Sequence, residues 1–416
     1  MKMNSNVNWL VFGLFVWSLC CQCQSRTESA VLKSRAVDVH DISNDKAWSE
    51  RMALSVMKRH PEAWMVDAET PQWNYTQGIM MKALWMTGLQ SENPVYLDYA
   101  RSYADTMIRQ DGSIRDYQLS DFNIDHVCPG IFLLPLYRET GEPKYLSGIQ
   151  NLKKQLEWQP KTRDGGYWHK LRYPWQMWLD GLYMGEPFLA EYARDFQTPE
   201  LYEEVVFQFS LAESHLRDSL TGLLYHGWDE SHIQSWADPQ TGCSPHFWGR
   251  AIGWYAMALV DVLDYLPADH SGRKQLISIL QRTMEAVLKV RDKESRLWWQ
   301  ILDKPAMPGN YLEATASCMF VYTMIKGAQK GYLDASYNQY ARESYQAILT
   351  EFIEIENDGE VHLTRCCSVA GLGGNPYRDG SYEYYVNEPV RQDDPKGVGP
   401  FIFASLEFEK ANIRFN

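Results

Sequence analysis

One kind of segment recurs six times along this 416-residue chain, and it constrains the fold more than any other feature. A polar or aromatic cluster, usually carrying Gly, feeds directly into an apolar stretch that reads as helix. Residues 73–78 lead into 79–85, 123–130 into 131–137, and 178–185 into 187–192. Further on, 247–254 lead into 255–263, 310–315 into 316–325, and 396–400 into 401–408. These inner segments are almost uniformly apolar and rich in Gly and aromatics, as helices buried on most sides must be. Between them, residues 95–108, 144–156, 201–216, 273–289 and 334–351 alternate apolar and charged positions at helical spacing. That pattern belongs to solvent-facing helices.

Six inner helices, each paired with an outer one, make six helical hairpins and an all-α architecture. Hairpins closed into a ring place every inner-helix N-terminus on one face. Polar residues there converge on a central cleft, and helix N-termini favour anionic ligands. The spacing of about 50 to 85 residues lies far outside short-repeat solenoids. An open superhelix of hairpins is the structural alternative. Strand signals are weak, confined to 222–226, 297–302 and 361–365, and allow short hairpins at most.

The N-terminus reads as a targeting segment. Lys2 precedes an apolar run over 9–19, with Cys20, Cys21 and Cys23 directly behind it. The run is too short to span a bilayer and fits the hydrophobic region of a secretory signal. The Cys cluster suggests a lipoprotein-type cleavage site. Trp17 and Ser18 interrupt the small-residue run such a site prefers, so ordinary signal-peptidase cleavage is the competing reading. The chain thus divides into a leader over 1–23, a polar tether over 24–44 and a single catalytic domain over 45–416. The expected product is exported, either periplasmic or held at a membrane by a lipid anchor, with no transmembrane helix in the mature chain. Cys128, Cys243, Cys318, Cys366 and Cys367 are scattered and odd in number, so buried free thiols are expected. The formal charge of −13 argues against a nucleic-acid partner. It leaves room for a small anionic substrate, because a few Arg and His residues set the potential of a pocket. The 16 Trp and 25 Tyr suit sugar-stacking platforms and core filling equally.

H-E-x-x-H, the Walker A motif, G-x-S-x-G and G-x-G-x-x-G after a strand are all absent. The ten His show no metal-ligand spacing, so no metal is predicted. What remains is acidic residues set in apolar or aromatic runs. Asp180 lies in Pro174-Trp-Gln-Met-Trp-Leu-Asp-Gly-Leu-Tyr-Met-Gly-Glu-Pro-Phe-Leu189. Poor solvation there disfavours a charged carboxylate and suits general-acid work, whereas the bland reading is a helix cap. Asp125 has a similar setting ahead of His126 and Val127, with capping equally open. Two carboxyls in one cleft are what glycoside chemistry commonly needs. Arg250, between Trp248 and Trp254, and His226 would supply positive charge for an acidic sugar, unless Arg250 pairs with a buried carboxylate. Glu313 and Asp379 are weaker candidates and read as members of structural ion pairs.

These segments resemble the unsaturated rhamnogalacturonyl hydrolases of glycoside hydrolase family 105, related to the unsaturated glucuronyl hydrolases. The resemblance rests on Trp73-Asn-Tyr-Thr-Gln-Gly78, Asp125-His126, Gly165-Gly-Tyr-Trp-His169 and Met177-Trp-Leu-Asp-Gly-Leu-Tyr-Met-Gly-Glu-Pro-Phe188. It continues through Tyr225-His-Gly-Trp-Asp229, Phe247-Trp-Gly-Arg-Ala-Ile-Gly-Trp254, Asn310-Tyr-Leu-Glu313 and the segment from Gly371 to Tyr385. It implies an (α/α)6 barrel and an enzyme that needs no cofactor. It also implies an unusual reaction, hydration of the C4=C5 double bond that a polysaccharide lyase leaves on a terminal uronate. The resemblance makes Asp180 the proton donor to C4 and Asp125 the second carboxylate, with Tyr75, His169, His226, Arg250 and Trp254 around the bound uronate. The partner is accordingly an oligosaccharide ending in an unsaturated uronate. Two alternatives stand beside it: an inverting glycosidase on saturated acidic sugars, and a sugar-binding lipoprotein without turnover.

Overall fold

The computed structural model describes residues 39, 41–305 and 307–415. The leader predicted over 1–23, and most of the tether predicted over 24–44, lie outside the described residues. The folded body starts before the predicted boundary at 45. Ile42 is already buried, and its N–H donates to the Asp358 carbonyl at 2.8 Å.

Thirteen α-helices are found among the described residues. Six of them line the inside: α2 (Tyr75–Ser91), α4 (Gly130–Thr140), α6 (Leu179–Asp195), α8 (Gly249–Val262), α10 (Ala314–Gln329) and α13 (Pro395–Lys410). Each packs on the next, and α13 returns to α2, which closes the (α/α)6 barrel and removes the open-superhelix alternative. Outside them lie α3 (Pro94–Met107), α5 (Pro143–Trp158), α7 (Leu201–Leu216), α9 (Arg273–Lys289) and α11 (Tyr337–Glu351), each against the inner helix that precedes it. The sixth outer position is filled from the other end of the chain, where α1 (Trp48–Arg59) covers α13. A short α12 (Tyr382–Asn387) sits in the last long connection.

Burial separates the two layers. Every residue of α8 is buried, a run of small and apolar side chains that leaves no face for solvent. Gly253 of α8 allows the closest approach to α10, since a Cβ there would meet the Met319 sulfur at 2.6 Å. On outer helix α9 only Leu276, Ile279, Leu280, Thr283, Met284, Ala286 and Val287 are buried, one stripe at helical spacing. A buried polar cluster ties the inner layer together. Asp261 of α8 accepts from Lys326 Nζ and the Tyr322 hydroxyl of α10, both at 2.6 Å, and Lys82 of α2 approaches to 3.7 Å. Removing one partner of such a buried pair typically costs about 3–5 kcal/mol, because an uncompensated charge is left behind.

The inner helices begin earlier than their apolar runs. Helix α6 starts at Leu179 rather than at Pro187, and α8 at Gly249 rather than at Tyr255. Pro187 removes only its own N–H bond and lies within a helix packed on both sides, so the tertiary environment carries it. In α2, α6, α8 and α13 the polar clusters are therefore the first turns of the helices, whereas those ahead of α4 and α10 lie mostly outside them. Three short sheets decorate that face. β1 (Gln176–Trp178) pairs antiparallel with β2 (Gly227–Asp229), with Met177 opposite Trp228. β3 (Ile353–Ile355) pairs with β4 (Val361–Leu363), and β5 (Cys366–Cys367) with β6 (Val390–Arg391). The strand expected at 222–226 falls just beyond it, in β2, while 297–302 makes isolated bridges only, Trp248 to Ile301 and Trp299 to Leu312. All five Cys of the described body are buried and free, and no described helix is long and apolar enough to cross a membrane.

Candidate active site

Each inner helix contributes a polar residue at or just before its first turn. Tyr75 opens α2, Asp125 lies in a single 3-10 turn ahead of α4, and Asp180 is in the first turn of α6. Arg250 is in the first turn of α8, Glu313 caps α10 and Asp394 caps α13. The groups sense one another. Burial pushes the Tyr75 phenol up, Asp125 adds to that, and Arg250 opposes it. Burial disfavours the Arg250 charge, but Cys367, Asp394 and Glu313 outweigh it and hold the guanidinium protonated.

The β1–β2 pairing sets Asp180 beside His226. The N–H of Leu179 donates to the His226 carbonyl at 3.0 Å, and the Asp180 Oδ2 atom ends 3.3 Å from His226 Nε2. Neither atom has a formed hydrogen bond, and no Lys or Arg among the described residues pairs with Asp180. The Asp180 side chain keeps 14% of its surface, whereas His226 is fully buried. The imidazole lies between Trp178, 5.5 Å away at 64°, and Trp248, 4.7 Å away at 50°. Its Nδ1 is 2.7 Å from the Tyr385 hydroxyl.

Asp125 is held differently. Its N–H donates to the Asn123 side chain at 3.2 Å, which fixes the turn. Its carboxylate accepts from Lys170 Nζ on one oxygen, and His169 Nε2 is 3.3 Å from the other. Burial pushes this carboxyl up, but Lys170 and His169 more than offset it, so it sits below the usual range. Burial also brings His169 down to about 4, against the pull of Asp125. At neutral pH the imidazole is therefore uncharged, and Lys170 carries the compensating charge. His169 stacks on Trp178 at 4.5 Å and 16°. Gly181 makes room for that ring, since a Cβ there would stand 3.1 Å from His169 Nδ1.

All seven residues singled out in the sequence lie on or under this face. Trp254 is an internal support rather than an open platform, 1% exposed and packed against Tyr75 at 6.3 Å and Tyr183 at 4.9 Å. Arg250 does not pair with a carboxylate among the described residues. Its guanidinium donates to the Cys367 carbonyl and lies over Trp248 at 4.7 Å, with Nε unpartnered. Asp394 and Glu313 act on its charge through space rather than by direct pairing. Neither Glu313 nor Asp379 forms the expected ion pair among the described residues; Glu313 instead accepts from the N–H groups of Ala316 at 2.6 Å and Cys367 at 2.9 Å. Asp379 accepts from the Ser381 N–H in an exposed turn. Lys170 and Tyr385 are additions from the structure. Lys170 adjoins His169 in sequence, and Tyr385 ends the segment from Gly371 that carries part of the family resemblance; those were the available signals.

The face combines helix N-termini, a buried Arg and two unlike carboxylates, a setting for an anionic ligand. A cavity of about 480 Å³ lined by Trp48, Arg51, Gln90 and Glu409 lies at the opposite end of the barrel. There the inner helices present their C-termini, which disfavour anions. No three His, Cys, Asp or Glu side chains converge as a metal site among the described residues.

The family model described as Glycosyl Hydrolase Family 88 matches residues 48–412. A family 105 glycoside hydrolase from C. acetobutylicum ATCC 824 superposes with a TM-score of 0.85 at 42% identity, covering 88% of this chain and 100% of that one. The unsaturated rhamnogalacturonyl hydrolase YesR of Bacillus subtilis (strain 168) is 27% identical over 317 residues, 75% of this chain and 84% of that protein. The unsaturated glucuronyl hydrolase of Bacillus sp. GL1 shares the fold, with a TM-score of 0.65 at 13% identity over 87% of this chain and 95% of that one.

Proposed function

This chain belongs to the glycoside hydrolases of families 88 and 105, and from that premise we propose that it hydrates the C4=C5 double bond of a terminal unsaturated uronate. The substrate is a lyase-generated oligosaccharide of the rhamnogalacturonyl or glucuronyl type. The observation that carries this reading is the division between two carboxylates on one face. Asp125 is tied to a Lys and stays charged, while Asp180 pairs with no Lys or Arg among the described residues and keeps part of its side chain exposed.

In the proposed reaction Asp180 gives its proton to C4. Positive charge then builds at C5 beside the ring oxygen, where the resulting carboxylate stabilises it. Water adds its oxygen to C5 and returns a proton to Asp180, which regenerates the acid. The hemiketal at C5 opens by breaking its bond to the ring oxygen. The hemiacetal left at C1 then expels the following sugar as an alcohol, leaving an open-chain keto-uronate. Arg250 and the helix N-termini meet the uronate carboxylate, and Asp125 and His169 take the sugar hydroxyls.

The test is turnover of unsaturated disaccharides derived from rhamnogalacturonan, glucuronoglycan and ulvan, each beside its saturated counterpart. Loss of the double bond's ultraviolet absorbance together with release of the second sugar is expected for the unsaturated members only. Equal cleavage of saturated sugars would replace this reading with an inverting glycosidase, and binding without turnover would replace it with a sugar-binding protein. Export, with or without a lipid anchor, belongs to the same proposal. It is supported by Lys2, the apolar run behind it and Cys20, Cys21 and Cys23. Labelling cells with a fatty-acid analogue and fractionating them tests it.

A further inference from the structure

We propose that Tyr385 fixes the tautomer of His226, so that an Nε2–H rather than a lone pair faces Asp180, and that this directs the acidic proton of Asp180 to Oδ1. Tyr385 is in this view a positioning residue that acts through His226. The proposal rests on reading Asp180 as the proton donor.

The hydroxyl of Tyr385 is 2.7 Å from His226 Nδ1, and both residues are fully buried. The hydroxyl is locked where it stands. Helix α12 is capped by the Ser381 side chain, which accepts from the Tyr384 N–H at 3.1 Å. The Tyr385 carbonyl accepts from Gln300 Nε2 at 3.2 Å, and Gln300 Oε1 accepts from Trp248 Nε1 at 3.1 Å. The ring itself packs against Trp248, with centroids 5.9 Å apart.

The direction of the hydrogen bond follows from chemistry. Burial pushes this phenol well above its ordinary value, so the O–H is intact at any working pH. Among the described residues it has no acceptor other than His226 Nδ1. A neutral imidazole whose Nδ1 accepts must carry its hydrogen on Nε2. That nitrogen is 3.3 Å from Asp180 Oδ2, and both atoms are buried without any other partner. The Nε2–H stands 3.3 Å from Oδ2, out of line for a formed bond as the ring rests, and a small turn of either side chain brings it into line and makes that oxygen the acceptor in either protonation state of Asp180. When the acid is protonated, its hydrogen therefore sits on Oδ1, the oxygen not engaged by the imidazole. When the proton has moved to C4, the same Nε2–H stabilises the carboxylate left behind.

The other tautomer would undo this. With the hydrogen on Nδ1, the Nε2 lone pair would draw the acidic proton to Oδ2 and turn it away from the substrate. His169 offers the internal contrast, since its Nδ1 is buried with no partner at all.

The experiment uses the full chain labelled with nitrogen-15 in histidine, with His226 assigned by difference from His226→Gln. In the wild type the ring should show an unprotonated Nδ1 and a protonated Nε2. Tyr385→Phe keeps the ring and removes only the donor. It should give a mixture of tautomers and lower kcat by about 10- to 100-fold, the range typical for a residue that orients a working group, with KM nearly unchanged. Finding the Nδ1–H tautomer in the wild type would overturn the proposal, whatever the variant does. So would Tyr385→Phe that folds with an unchanged tautomer, or with a shifted tautomer and unchanged kcat. The wild-type spectrum needs no turnover, so its outcome is separate from the assignment of Asp180, which Asp180→Asn decides.

Discussion

Two carboxylate–histidine pairs meet on Trp178, and they differ in what else reaches the carboxylate. In one, Asp125 carries Lys170 on one oxygen and His169 on the other, with 9% of its side chain exposed. In the other, His226 is the one charged or titratable group that approaches Asp180 within 4 Å as a pair among the described residues, unaligned for a hydrogen bond, and Asp180 is somewhat more open. The histidines differ as well. His226 is anchored through Nδ1 by Tyr385, whereas His169 is held by stacking on Trp178 and by the space over Gly181. A carboxylate locked by a cation cannot cycle a proton near neutral pH, but it can hold a sugar hydroxyl throughout turnover. One without a cation is free to cycle. Under the proposed reaction, the same residue types supply a fixed charge in one pair and the proton carrier in the other.

The sharpest way to break that comparison is Asp180→Asn. It should reduce kcat/KM on an unsaturated disaccharide by about 10³-fold, within the usual span for a general acid. Its melting temperature should stay close to the wild type, because among the described residues the carboxylate accepts no formed hydrogen bond. Retained loss of ultraviolet absorbance in this variant would falsify the assignment. Asp125→Asn should cost stability as well as activity. It strands Lys170, whose side chain is only 13% exposed, and an unpaired charge of that kind costs about 3–5 kcal/mol. Urea unfolding reads the difference. Equal destabilisation by the two variants would dissolve the distinction between the pairs.

Asp180, Asp125 and Arg250 were legible in the sequence because a charge inside an apolar or aromatic run is conspicuous wherever it lies. The six inner helices were legible for the same reason, each being a long run with no solvent face. Their first turns were not, since the polar clusters look like loops until the helix is seen to begin at Leu179 or Gly249. The partner of α13 was hidden by distance along the chain. Helix α1 is an ordinary amphipathic segment, and nothing local says which helix it will cover. Lys170 and Tyr385 share that difficulty. A Lys in a loop is unremarkable until the fold sets it on a buried carboxylate, and Tyr385 reaches His226 across 159 positions.

Stability against pH sharpens the contrast from the histidine side. His169 falls from 6.5 to about 4 on folding, chiefly through burial. Between those values the unfolded chain binds a proton that the folded chain refuses, so stability rises with pH across this window and is lost as pH falls through it. The full loss is roughly 3 kcal/mol, at about 1.36 kcal/mol per unit. His169→Gln should remove that slope, and subtracting its unfolding curve from the wild type cancels the other buried histidines, such as His60, His126 and His246. Asp125 contributes in a different window. Its folded carboxyl lies below the usual range, so its contribution is complete above the unfolded value and fades only as pH falls past it. A difference curve that stays flat from pH 6.5 down to 4 would show that His169 is protonated in the folded protein, and the fixed charge on Asp125 would then not depend on Lys170 alone.

The smallest expected effect isolates that Lys. Lys170→Met keeps the aliphatic stem and removes the cation, leaving Asp125 buried beside a neutral imidazole. The cation that outweighed burial is gone, so burial pushes the Asp125 carboxyl up. Asp125 then protonates at a higher pH than in the wild type. The acid limb of kcat/KM moves upward by the same amount, while the rate on the plateau above it changes little. Lys170→Arg restores a cation at the same place and should return the limb towards its original position. An acid limb that stays put in Lys170→Met would mean that Asp125 does not need to be charged for turnover, and the fixed member of the two pairs would lose its role.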